Sequence, residues 1–437
     1  MLRSPRQFLN FLGWVFSGAF TICLGTRLFR LIDQYSVNLL FWDNFNYYFL
    51  LADRWNYWQR FTAQLGPHRE GFGLLLSSII APLTYWNMRA EAFCIGAILV
   101  IAMLLCLLVK RRAFNRLEWY DVIVISALFF NPRQWEIWGG TVNSSHDALP
   151  LAFVMLFCLS WTIARGVFRD VAILTINFLA IFTGFGFFLG IITPTVFALR
   201  RNWRAFAISL ASLVLFFVNY KFDPAFGGFR FFDPNVLKFP FTMAVALSYA
   251  CDVNSKPWDQ IIGYFLLAFF LAAFAAQARG AARGKVRNII STSLIGFTIL
   301  FMLAAVEGRI SLGPRCLDEG RYIPLLTPGF VGAYLSISSV PNQFLRLIFV
   351  ILFAGLALRT SLFIDPIDLS AMIHRARDKQ TWIANYQLTG SIDQANQASL
   401  KPIYPAPLPA DLPAKVAYLR DHKLNFFSLP PQYLTDP

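Results

Sequence analysis

Four short stretches carry nearly all the residues of this 437-residue chain that have chemistry to offer. The first is Asp43, preceded by Phe41-Trp42. A carboxylate there reads in two ways: as the cap of a following helix, accepting from its free amides, or as a general base where the chain leaves a bilayer. The second is Gly66-Pro67-His68-Arg69-Glu70-Gly71, with three consecutive ionisable residues just before an apolar run. Such residues must face water, a partner or a ligand. A solvated turn is the plain reading; His68 and Arg69 also suit an anion, the guanidinium by paired donation. The third runs from Trp135-Glu136-Ile137-Trp138 to Asn143-Ser144-Ser145-His146-Asp147. Its tryptophans read as interface anchors, and Asn143 and His146 as candidates for holding a polar acceptor. The fourth, Glu307 to Tyr322, holds Arg309, Arg315 and Arg321 among Glu307, Asp318 and Glu319. Mutual salt bridges are one reading; an anion held by Arg309, Arg321 and the Tyr322 hydroxyl is the other.

The elements that must position these residues are membrane helices. The chain is 57% hydrophobic, 17% aromatic and 14% charged, whereas soluble domains carry roughly 25% charged residues. Apolar runs predict an all-α polytopic membrane protein with about eleven spans. The spans fall near residues 10–30, 91–109, 120–137, 146–164, 170–183, 185–199, 203–219, 259–277, 288–306, 323–339 and 345–359. The stretch 72–86 reads as a half-buried or interfacial helix, and 239–250 as too short to cross alone. In the first external loop, 31–71, Phe45, Tyr48, Phe49, Ala52 and Trp55 follow helical apolar spacing, while Asn46, Asp53, Asn56 and Arg60 form a polar stripe. That predicts an amphipathic surface helix over 44–61, with Asp53 paired to Arg54 or Arg60 as the structural reading. Residues 1–360 form the membrane domain, and 361–437 a small external tail of two or three short helices.

The net charge of +14 falls at span ends, as Lys110-Arg111-Arg112, Arg165 and Arg169, Arg200-Arg201-Trp203-Arg204, and Arg279 to Arg287. Cations so placed fix topology next to anionic lipid and argue against a nucleic-acid partner. They put the N-terminus in the cytoplasm, before an uncleaved first span, and the C-terminus outside. Cys23, Cys94, Cys106 and Cys158 sit inside apolar runs and read as small core residues; Cys251 and Cys316 fall in external segments, where pairing is open. No zinc spacing occurs.

An early Asp43 before an interfacial helix, His68-Arg69-Glu70 before the next apolar helix, and Arg321-Tyr322 entering a late span together resemble the GT-C class of membrane glycosyltransferases, over roughly residues 10–360. That class includes the lipid A aminoarabinose transferases and protein O-mannosyltransferases. The resemblance implies a sugar carried on polyprenyl phosphate and a glycan, lipid or protein acceptor, met at the external face of a bacterial inner membrane. Asp43 then matches the first-loop acid, and His68, Arg69 and Arg321 lie near the donor phosphate. Glu70, Asn143, His146, Arg309 and Tyr322 complete the expected substrate-binding set. The paired acidic motif common in the class is missing, since Asn44 follows Asp43 and Glu70 is distant in sequence; this departure bears on any requirement for a divalent cation, the one cofactor the resemblance raises, and on Asp43 itself. A hydroxyl acceptor needs a base, and a phosphate leaving group needs positive charge. The competing readings are a transporter or flippase of lipid-linked sugar and a non-catalytic subunit of an envelope assembly.

Overall fold

The computed structural model describes residues 5–52, 55–163, 166–221, 235–405 and 407–428. Where hydrocarbon is the solvent, backbone groups must pair within their own segment, so apolar runs become helices. In chain order these are α1 (Pro5–Tyr35), α2 (Asn44–Ala52) and α3 (Tyr57–Phe61), then the small hairpin β1 (Gln64–Leu65) and β2 (His68–Arg69). Next come α4 (Gly71–Leu83), α5 (Met88–Ala113), α6 (Trp119–Phe129), α7 (Glu136–Gly139), α8 (Ala148–Ile163), α9 (Gly166–Ile181), α10 (Leu189–Leu199) and α11 (Trp203–Phe217). The second half holds α12 (Phe239–Ala250), α13 (Trp258–Ala282), α14 (Val286–Glu307), α15 (Ile323–Ile337), α16 (Gln343–Leu362), α17 (Pro366–Thr389), α18 (Ile392–Ala398) and α19 (Leu412–Asp421).

This is an all-α membrane protein. Helices α1, α5, α13 and α14 and the segment Gln343–Thr389 are long and apolar enough to cross a bilayer; α4, α8, α10, α11 and α12 are shorter apolar helices. α1 shows why lipid is the solvent: Phe8, Leu9, Phe11, Val15, Phe16 and Ile22 are all exposed, a surface no water-soluble helix presents. Cys23 on the same helix is exposed rather than buried.

Hydrogen bonds sort the helix ends onto two faces. On one, the Arg69 guanidinium donates to the carbonyls of Phe216 and Val218 at the end of α11. The Phe72 amide donates to Phe182 O after α9, Asn131 Nδ2 to Ala250 O, and the Arg321 amide to Glu136. On the opposite face, Lys110 at the end of α5 donates to Ser338 after α15, and Arg169 and Arg200 both lie over Trp161. Lys110 is not a freely solvated cation: it is buried and sits 3.6 Å from Asp121, which also accepts from Tyr334 OH.

Both ends of α4 are held on the first face, by the Phe72 amide at its start and by Asn425, whose amide donates to Tyr85 O, just after its end. The single amphipathic helix expected over 44–61 is two: α2 ends at Ala52, and Asn56 caps α3 with a reciprocal Gln59 bond. Asp53 and its pairing, like Arg165, lie outside the described residues. The span expected at 120–137 ends at Phe129, and a 3₁₀ turn, Pro132–Trp135, follows.

The C-terminal region is docked, not a free tail. The Trp42 amide donates to Ile403 O and the Leu40 amide to Asn425 Oδ1. Lys379 of α17 donates to the carbonyls of Gly139 and Gly140. Arg133 is the main rivet: its guanidinium meets Asp368 at 2.8 Å, Asp252 at 3.1 Å and Asp365 at 3.6 Å, and lies over Tyr249. Cys251 and Cys316 are both buried free thiols and do not pair.

Candidate functional site

Asp43 sits where α1 has ended and α2 begins. Trp42 before it has a φ of 53°, a left-handed conformation that costs a bulky aromatic about 1–3 kcal/mol. The docked C-terminal segment holds it there, through the Ile403 carbonyl on its amide and Pro402 O on its indole Nε1. Asp43 is exposed, and among the described residues its carboxylate accepts no hydrogen bond. It is therefore not acting as a helix cap; Asn44 instead turns back to accept from the Phe41 amide and to donate to Val142 O. The protein around Asp43 raises its pKa by desolvation, while Arg321 and then Arg309 pull it down. Those two guanidiniums thus stand within electrostatic reach of a carboxylate from the opposite end of the membrane domain.

The β1–β2 hairpin explains the different fates of its neighbours. Side chains alternate along a strand, so His68 and Arg69 point apart. His68 packs against His146 at 4.9 Å and Phe185 at 4.5 Å between ring centroids. Arg69 turns away: it donates to Thr62 O, Phe216 O and Val218 O and lies over the Phe216 and Tyr220 rings. Each of the three guanidinium nitrogens donates to a carbonyl, so the expected phosphate role for Arg69 is corrected to a brace between the first loop and α11.

Glu70 is buried at the start of α4. It accepts from Asn143 Nδ2 at 2.6 Å, and His146 Nε2 lies 3.4 Å from its other oxygen. Burial pushes Glu70 up to about 8 and His68 down to about 4; His146 goes well below its ordinary value for the same reason, with His68 and the two arginines adding to it. At neutral pH the trio is uncharged, so the histidines offer neutral nitrogens rather than positive charge.

The cations come from the α14–α15 loop. The guanidinium carbons of Arg309 and Arg321 lie 5.4 and 5.3 Å from the centre of the Tyr322 ring. Glu319 pairs with both, at 3.9 Å from Arg309 and in closer contact with Arg321. The salt-bridge reading thus holds in part, with two cations sharing one carboxylate. Arg321 Nε and the Tyr322 hydroxyl are buried without a protein partner among the described residues. Burial lifts Tyr322 to about 12, so its hydroxyl keeps its proton and can donate. Arg315 is spent elsewhere, on Asp259 and Asp318.

Asp43, His68, Glu70, Asn143, His146, Arg309, Arg321 and Tyr322 therefore form one cluster, joined by ring contacts, hydrogen bonds, ion pairs and electrostatic reach, and Arg69 borders it facing away. Sequence reasoning missed Glu136, which accepts from the Arg321 amide at 3.2 Å, and Asp147, buried and raised well above its ordinary value by desolvation. It also missed Phe185, whose ring faces both histidines and Tyr322, and Arg375 of α17. Phe185 lies in Gly184-Phe185-Gly186, whose tight turn was the available signal. Among the described residues no three His, Cys, Asp or Glu side chains are grouped to hold a metal, so a divalent cation finds no ready ligand set here.

Fold and site together define an all-α membrane protein with a mixed-charge cluster, packed against aromatic rings, at one face. Comparison with protein families, with curated proteins and with solved structures finds no match for this chain.

Proposed function

We propose that this chain is a membrane glycosyltransferase that moves a sugar from a polyprenyl-phosphate donor to a glycan, lipid or protein acceptor of the cell envelope. The observation that carries the reading is that Asp43, whose carboxylate accepts no hydrogen bond among the described residues, stands within electrostatic reach of Arg321 and Arg309. Asp43 takes the proton of the acceptor hydroxyl as that oxygen attacks the anomeric carbon. The bond from that carbon to the phosphate oxygen breaks, and its electron pair leaves with the lipid phosphate. Arg309, Arg321 and the Tyr322 hydroxyl meet the departing anion. Phe185, His68 and His146 line the space between, suited to a sugar ring.

The same reading sets the topology. Helices α1, α5, α6, α8, α9, α10, α11, α13, α14, α15 and α16 each carry the chain from one face to the other, as eleven crossings. The basic turns lie in the cytoplasm, the site faces outward from a bacterial inner membrane, and α17–α19 are external. The test is transfer by the purified protein from labelled polyprenyl-phosphate sugars to envelope extract. Asp43→Asn should abolish transfer while insertion and thermal midpoint stay as in the wild type; a fully active D43N protein overturns the assignment.

A further inference from the structure

A second set of cations stands near this cluster, contributed by the C-terminal region rather than by the membrane helices. Arg375 of α17 lies with its guanidinium carbon 5.2 Å from the Phe41 ring centre and 5.8 Å from that of Trp42. Stacking on the faces of these rings leaves the N–H edge of the fork unused. Among the described residues Arg375 makes no hydrogen bond and no ion pair, although it is only partly exposed. That is unlike Arg69, Arg133, Arg309, Arg315 and Arg321, each of which has acceptors in place.

Lys401, exposed in the segment after α18, stands within electrostatic reach of both Arg375 and Glu136. Lys379, one turn along α17 from Arg375, is already held by Gly139 O and Gly140 O. The nearby acids are engaged too: Asp378 accepts from the Leu400 amide, and Glu136 accepts from the Arg321 amide. Among the described residues Arg375 and Lys401 are thus cations without a counter-ion in contact.

Their position assigns the ligand. Glu136 feels Arg321 strongly and Arg375 more weakly, so both cations stand within its electrostatic reach. The Arg309–Arg321 pair belongs to the donor phosphate in the proposed function. Arg375 stands on the Phe41-Trp42 pair immediately before Asp43, the residue that must touch the acceptor hydroxyl.

We infer that the acceptor is anionic, carrying a phosphate or carboxylate group that Arg375 and Lys401 bind beside Asp43, and that the C-terminal helices serve as its recognition element. A planar fork stacked on aromatic rings is preorganised for such a group, so little side-chain entropy is lost on binding. The inference rests on the proposed function for its donor and acceptor labels, and the experiment separates the two.

Full-length protein in lipid nanodiscs is titrated with radiolabelled farnesyl phosphate, which probes the Arg309–Arg321 pair, and with labelled glucose 6-phosphate, which probes Arg375 and Lys401; glucose is the uncharged control. Glucose 6-phosphate should bind even when farnesyl phosphate is saturating, and glucose should bind far more weakly. Arg375→Gln should weaken glucose 6-phosphate by about tenfold or more, the usual worth of a charge-assisted hydrogen bond, and leave farnesyl phosphate unchanged. Arg375→Lys should recover part of the loss. Lys401→Gln, on an exposed residue whose change leaves folding intact, should weaken the same probe alone.

Phosphatidic acid in the disc then separates the sources of the anion. Displacement of glucose 6-phosphate by it points to a lipid headgroup; no displacement points to a soluble or glycan-borne group. The inference is overturned if farnesyl phosphate displaces glucose 6-phosphate competitively, if both charge-removing variants bind it like the wild type, or if it binds no better than glucose. Failure of farnesyl phosphate to bind, with glucose 6-phosphate still dependent on Arg375, sinks the donor reading instead.

Discussion

Replacing Glu70 by Gln tests the electrostatics of the site without relying on any assay of function. The Glu70 side chain is 2% exposed, and burial lifts its pKa from 4.5 to about 8. Between those values the folded protein keeps a proton that the unfolded chain has lost. Stability from this group is therefore greatest below pH 4.5 and falls as pH rises toward 8. Each unit is worth about 1.4 kcal/mol, so the carboxyl costs about 3 kcal/mol by pH 7 and about 5 kcal/mol above pH 8.

Glutamine matches the protonated acid in shape. Its carbonyl can accept from Asn143 Nδ2 as Glu70 does now, and its amide can face His146. The variant should equal the wild type at low pH and exceed it progressively toward pH 8. The measurement is the thermal unfolding midpoint in nanodiscs from pH 5 to 8, read as the difference between the two proteins. The difference matters because other groups pull the other way. His68, depressed to about 4, and Lys379, depressed from 10.5 to about 7 by burial, bind more protons when unfolded and so favour folding as pH rises. Parallel midpoint curves for wild type and E70Q would refute the claim that Glu70 is held neutral by burial.

Four further outcomes follow from named contacts. Asp43→Asn should lower the transfer rate by about two to four orders of magnitude, the usual worth of a general base, with an unchanged midpoint; transfer kinetics beside a melting curve decide it. Arg321→Ala should weaken farnesyl phosphate by about tenfold to a hundredfold, measured by equilibrium binding. Arg69→Met should do the reverse: it strips donors from three carbonyls and destabilises by about 2–4 kcal/mol, but the folded fraction should bind farnesyl phosphate normally, and a lost affinity would return Arg69 to the site. Arg133→Met leaves Asp365 and Asp368 without this cation and Asp252 with only the more distant Arg359, and should cost about 3–5 kcal/mol; proteolysis between α16 and α17 should report the released C-terminal region.

How much of the site could be read from the sequence depended on whether a residue's partner was near or far along the chain. Arg321-Tyr322 was legible because arginine at the entry to a late apolar run is out of place unless it has a task. His68 and Glu70 were legible for the same reason. Arg69 was not, because His-Arg-Glu in a row does not say which way each side chain points, and a two-residue strand decided that. Glu136 and Asp147 looked like ordinary turn acids until the α14–α15 loop folded over them. Arg375 was hidden most completely, in a segment that composition marked as a polar tail.

The sequence by itself determined that this protein is a helical membrane protein and that its basic turns lie on the face opposite its reactive loops, because hydrophobicity, helix length and charge placement are local properties that lipid and water read directly. Tertiary structure alone decided that the C-terminal helices dock against Phe41 and Trp42, that Cys251 and Cys316 stay apart, and that Asp43 comes within electrostatic reach of two guanidiniums. Those outcomes depend on packing between segments hundreds of residues apart. No periodicity along the chain encodes such packing, because each contact is fixed by the shape and charge of a partner that becomes a neighbour only after folding.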